Sequence, residues 1–64
     1  MTEKIYWVDR NDITNDLDET LMALFMRIPC LVEIENVEMN WAKVIIQARE
    51  EDLETVERYM AGLV

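Results

Sequence analysis

Ile13, Leu17, Leu21, Leu24 and Ile28 recur at spacings of 4, 4, 3 and 4, and Pro29 follows at once. Only an α-helix gathers such positions on one face. A proline ring ends it, because it lacks an amide hydrogen and strikes the preceding turn. The spacing predicts a helix over residues 12–28, capped by Asn11 or Asp12. Asp12, Asp16, Asp18 and Glu19 crowd its early turns, where the positive end of the helix dipole favours carboxylates. The second half, Leu21 to Met26, is apolar nearly all round, and such a helix requires burial on more than one side. A chain of 64 residues buries only about 60% of its unfolded surface. Gap-filling in the chain's own core is the favoured reading for Met22 and Met26 beside Phe25, and a surface facing a second subunit or another protein is the alternative.

Three other stretches set the order of elements. In Lys4–Val8, Lys4, Tyr6 and Val8 fall on one side and Ile5 and Trp7 on the other, in a β-branched and aromatic segment that suits a strand. Cys30–Asn36 sets Val32 and Ile34 against Glu33 and Glu35, the pattern of a sheet with one wet face. Trp41–Ala48 sets Val44 and Ile46 beside Lys43 and Gln47, with Ile45 breaking the alternation. Residues 37–40 join these two as an antiparallel hairpin whose loop exceeds the two-residue minimum. That pairing brings Glu33 or Glu35 opposite Lys43. Beyond Glu50-Glu51-Asp52, the residues Leu53, Val56, Met60 and Leu63 return to spacings of 3, 4 and 3. They predict a second helix over residues 50–61, with Gly62 as a left-handed C-terminal cap.

The order β-α-β-β-α predicts a single small acidic α+β domain over residues 1–64. It is similar in topology to a ferredoxin-like fold lacking its last strand. The expected sheet has three strands, antiparallel or mixed, in order 1-3-2, with both helices on one face and strand one as an open edge that invites pairing.

The inventory excludes most catalytic chemistry. With no histidine, no serine and a lone cysteine, the chain supplies no Ser-His-Asp triad, Cys-His pair, His-containing zinc site or disulfide. Asp12–Asp18 superficially suggests a calcium loop. However, Leu17 stands where the turn glycine belongs and Ala23 where the bidentate glutamate belongs. Paired carboxylates of the glycosidase kind would need a cleft that so small a fold has little room for. Cys30 has no basic neighbour to lower its pKa and reads as a buried small hydrophobe. No catalytic, cofactor-binding or metal-ligating residue is nominated, and the chain is expected not to be an enzyme. Charges in the first ten residues replace the apolar run of a signal peptide, and the longest apolar run is six residues. The expectation is a cytoplasmic protein, or one of the host cytoplasm if phage-encoded, with no membrane partner.

Fourteen acidic against six basic residues give a formal charge of −8. Asp12, Asp16 and Glu19 on the first helix and Glu50, Glu54 and Glu57 on the second recur at i, i+4 and i+7. At about 1.5 Å per residue, successive members are about 5–6 Å apart. Such stripes steer toward a basic groove and in the extreme imitate a nucleic-acid strand; the plainer reading is solvated helix faces. The same charge argues against direct nucleic-acid binding, since the six cations are scattered among acids. Tyr6, Trp7, Trp41 and Tyr59 are the remaining aromatic candidates; since strands one and three are neighbours, Trp7 and Trp41 meet on a sheet face if the helices cover the other. Burial of at least one tryptophan in the chain's own core is the favoured reading, and the exposed tryptophan patch the alternative.

These features predict a non-enzymatic protein-binding module, an inhibitor or regulator of a basic, nucleic-acid-handling partner protein. By size and charge it is of the type that phages use for host takeover or anti-defence, anti-CRISPR proteins included. The competing expectation is a homodimeric structural, assembly or ligand-binding subunit pairing through the strand-one edge.

Overall fold

Period-two alternation over Trp41–Ala48 leaves Ala42, Val44, Ile46 and Ala48 with no accessible surface. In the computed structural model, which describes residues 1–63, this segment is the middle strand of the sheet. The elements are β1 (Thr2–Asp9), a 3-10 turn (Arg10–Asp12), α1 (Leu17–Arg27), β2 (Cys30–Glu38), β3 (Trp41–Ala48), a second 3-10 turn (Glu50–Asp52) and α2 (Leu53–Ala61). The sheet order is β1-β3-β2 and both pairings are antiparallel. This is the α+β architecture expected from the sequence.

The helices supply the other half of the core. Leu17, Leu21 and Leu24 of α1 and Val56 and Met60 of α2 are buried in one cluster with Val8, Cys30 and the four inward residues of β3. Truncating one such aliphatic side chain to alanine costs about 2–5 kcal/mol. The Tyr59 hydroxyl of α2 donates to the Thr20 carbonyl of α1, tying the two helices together. Arg10 anchors the end of β1 to the hairpin: its amide donates to the Asn40 carbonyl at 2.9 Å and its guanidinium to the Asn36 side chain at 2.8 Å. No helix among the described residues is long and apolar enough to cross a membrane.

Several local expectations are corrected. The first helix starts at Leu17 and not at residue 12: Asp9 caps the short turn Arg10–Asp12, and Ile13 is extended at φ −117°, ψ 144°. Asp16 is the true N-cap, its carboxylate accepting from the amides of Asp18 at 2.8 Å and Glu19 at 3.3 Å. Thr14 and Asn15 are poor helix formers, so the local hydrogen bonds of Asp16 win over another turn of helix. At the other end Ile28 is extended, at φ −135° and ψ 154°, because the ring of Pro29 pushes its predecessor out of the helical region.

The hairpin loop is Met39-Asn40 alone, since Glu38 pairs with Trp41 and a bulge between Asn36 and Glu38 takes up the slack. Met39, at φ 47°, is the left-handed residue among those described. Gly62, expected there, is right-handed at φ −76°. Its amide reaches the Arg58 carbonyl at 3.1 Å and that of Leu63 reaches Met60 at 3.2 Å, so α2 closes on right-handed turns. The second α-helix likewise starts at Leu53, after a 3-10 turn holding Glu50.

Two substitutions test the cap. Asp16→Ala is expected to lower stability by about 1 kcal/mol and Asp12→Ala by less than about 0.5 kcal/mol, measured by urea denaturation. The reverse order would restore Asp12 as the start of the helix.

Candidate functional site

Because both helices pack against the Val44 and Ile46 side of the sheet, the odd-numbered residues of β3 and their neighbours face outward. The register sets Ile5 beside Ile45, which also neighbours Glu33, and sets Trp7 beside Lys43, which also neighbours Glu35. Trp41 pairs with Asp9, one step along from Lys43, so the two tryptophans are diagonal neighbours on this open face. Both remain half-exposed, Trp7 at 58% and Trp41 at 46%, and Ile5 and Leu31 are exposed as well. Neither tryptophan belongs to the core. The Lys43 ammonium lies 5.9 Å from the Trp7 ring centroid, a cation–π contact worth about 0.5–1 kcal/mol at an exposed site.

Tyr6 does not join them. Strand alternation turns its ring to the helix side, where it packs against the core and its hydroxyl is buried with no hydrogen-bond partner among the described residues. It therefore leaves the contact group in which the sequence placed it beside Trp7.

Met22, Phe25 and Met26 form a second apolar surface on the outer flank of α1, with Met26 as much as 78% exposed. A shallow groove of about 290 Å³ runs between that flank and β2, lined by Leu21, Met22, Phe25, Val32 and Ile34 with Asp18 as its one charged wall.

The acidic stripes are less regular than their spacing suggested. Asp12 lies in the 3-10 turn and Asp16 is spent on the cap, so of that trio only Glu19 stands within α1. On the second trio, Glu50 is in a 3-10 turn, Glu54 pairs with Arg58 at 2.6 Å, and Glu57 pairs with Lys4 at 3.5 Å. Asp52 and Glu51 are held by Arg49 at 2.9 and 3.1 Å. None of the ion pairs among the described residues involves Glu33, Glu35 or Glu38. These β2 carboxylates, together with Leu31, Val32 and Ile34, are the surface residues that sequence reasoning passed over. Their signal was the alternation itself, read only as a wet face.

No protein-family model, curated protein or solved structure matches this chain. The surface has to be interpreted from its own chemistry. Among the described residues no group of three or more His, Cys, Asp or Glu is gathered as a metal site would require. Cys30 is buried, and burial, with Asp52 nearby, pushes its thiol up from the ordinary 9.0. Burial and then Glu57 push the Tyr6 phenol up from 10.0.

Both shifts favour the neutral form in the folded protein. The stability they contribute is whole below the ordinary values, 9.0 for the thiol and 10.0 for the phenol, and is lost as pH climbs from there through the higher folded-state values. Tyr6→Phe removes a buried hydroxyl that has no partner. The variant is expected to be as stable as the parent at pH 7, or more so by about 1 kcal/mol, and to lose less stability above pH 10. A clear loss at pH 7 in thermal denaturation would show that the hydroxyl is satisfied.

Proposed function

We propose that this chain is a non-enzymatic protein-binding module that docks through the open sheet face and uses its negative charge to attract and select a basic partner. The observation that carries the reading is the pair Trp7 and Trp41, half-exposed on a face that also presents Ile5 and Leu31. Solvated apolar groups of this size, gathered rather than scattered, mark interaction sites, and tryptophan anchors concentrate binding energy. Lys43 and the β2 glutamates add polar groups around that apolar centre.

A net charge of −8 raises the encounter rate with a basic protein and repels nucleic acid itself. Proteins that hold nucleic acid carry the complementary charge. The role that best fits is therefore an inhibitor or regulator of such a protein, acting in the cytoplasm where it works. Phage-type host-takeover and anti-defence products, anti-CRISPR proteins among them, use this combination of small size and acidity.

The test is affinity capture from cell extract, quantified by mass spectrometry, with wild-type bait and a Trp7→Ala/Trp41→Ala bait. Basic nucleic-acid-handling proteins are expected on the wild type at about 50 mM salt, depleted on the variant and at about 500 mM salt. A captured set indifferent to both changes would contradict the reading.

A second reading is supported by the β1 edge. An antiparallel pairing of two β1 strands centred on Ile5 sets Ile5 against its symmetry mate, Lys4 against Tyr6 and Glu3 against Trp7. No like charges are opposed, and the sheet becomes continuous across a homodimer. Light scattering at micromolar concentration is then expected to report twice the chain mass; a folded monomer would remove this reading.

A further inference from the structure

The opposite edge of the sheet has a different chemistry. β2 pairs with β3 on one side only, so its other side offers unpaired backbone groups to an incoming strand. Along that edge, Glu33 and Glu35 point to the open face, while Val32 and Ile34, partly buried, point to the groove beneath Met22 and Phe25. Edge hydrogen bonds, an apolar slot and two carboxylates outside the intramolecular ion pairs thus lie side by side.

A second copy of β2 fits this edge badly. Antiparallel self-pairing centred on Ile34 opposes Glu33 to Glu35, and centring on Glu33 opposes that residue to itself. Centring on Val32 runs Glu35 against Pro29, which has no amide hydrogen to give. In these registers the carboxylates disfavour a second copy, while they favour cations.

We propose that the β2 edge is a strand-addition site for an extended segment of the partner in which basic and apolar residues alternate. The proposal rests on the reading of this chain as a binder of basic proteins and specifies the segment recognised. Same-side residues of a strand recur about every 7 Å. Lysine or arginine at positions j and j+2 of an antiparallel added strand therefore stands opposite Glu35 and Glu33. Apolar residues at j+1 and j+3 then stand opposite Ile34 and Val32 and turn into the groove. The groove is at the small end of the range for ligand pockets, roughly 300–1,000 Å³, and suits side chains better than a whole small ligand. Met22 supplies an unbranched, polarizable wall that adapts to different apolar residues. Strand addition of this kind takes affinity from main-chain hydrogen bonds and specificity from the alternate side chains.

The experiment titrates the isotopically labelled protein, followed by amide NMR, with three capped octapeptides: lysine alternating with valine, the same composition in two blocks, and glutamate alternating with valine. The alternating lysine peptide is expected to shift residues 30–38 together with Met22 and Phe25 and to slow amide exchange along β2. Glu33→Lys/Glu35→Lys is expected to weaken that peptide about tenfold and to gain binding of the glutamate peptide. Phe25→Ser is expected to weaken the lysine peptide with every charge in place. Equal binding of the block peptide, shifts confined to the helix acids or the open face, or no binding would each overturn the proposal. So would concentration-dependent shifts along β2 without any peptide, which would mean that a second copy occupies the edge. None of these outcomes touches the capture experiment above, which turns on Trp7 and Trp41, so the two claims fail separately.

Discussion

Strand β3 is the constraint on which the rest of the molecule depends. Its inward residues Ala42, Val44, Ile46 and Ala48 are fully enclosed. The small alanines at both ends and the larger Val44 and Ile46 between them shape the floor on which α1 and α2 sit. That contact consumes the apolar faces of both helices: Leu17, Leu21, Leu24, Val56 and Met60 all point into it. A sheet has two faces, and the described chain has helices for one. The residues on the other side of β3 and its neighbours are consequently left in water, whatever their hydrophobicity.

The consequence is a molecule whose exposed apolar surfaces follow from what could not be covered. One is the open face, where Trp7 and Trp41 lie diagonal to each other across the β1–β3 pairing. The other is the flank of α1, where an apolar sequence that exceeds the width of the core spills over as Met22, Phe25 and Met26. β2 joins the two surfaces, with its glutamates on the open face and Val32 and Ile34 lining the groove under α1. Charge is distributed by a related logic. Asp16 is taken up by a cap and Glu51 and Asp52 by Arg49, whereas Glu33, Glu35 and Glu38 on β2, like Asp12, Asp18, Glu19 and Glu50 near the helix starts, stand outside the ion pairs among the described residues.

Elements set by periodicity were legible in the sequence. The leucine spacing of α1 admits only a helix, the alternation of β3 reads as a strand despite Ile45, and the 1-3-2 order follows from the likeness of β-α-β-β-α to a ferredoxin-like sheet without its last strand. What escaped was decided by competition between local options. Asp16 caps better than Asn11 or Asp12 because its carboxylate reaches two amides, but the apolar period runs on to Ile13, which packs on the core without being helical. The tight turn at Met39-Asn40 was hidden because a methionine takes the left-handed conformation there, while Gly62, the natural candidate, had no need of it. For the candidate surface, Trp7, Trp41, Met22, Phe25 and Met26 were visible as aromatic or apolar residues exceeding what one small core needs. Tyr6 shares the aromatic chemistry of the two tryptophans, but strand alternation sends it to the face opposite Trp7. The β2 edge carries no such signal in the sequence, because its alternation of Val32 and Ile34 with Glu33 and Glu35 is that of any strand with one wet face.

The central claim is that one sheet face of the isolated chain is open, and the two tryptophans, the only ones in the sequence, report on it directly. Their fluorescence should be measured in the purified protein at submicromolar concentration, with acrylamide as quencher and single Trp→Phe variants to separate the signals. Water-exposed, long-wavelength emission and efficient quenching are expected for both Trp7 and Trp41. Short-wavelength emission shielded from the quencher at either position, in protein that is monomeric and folded, would show that the face is covered by the chain itself and would contradict the account.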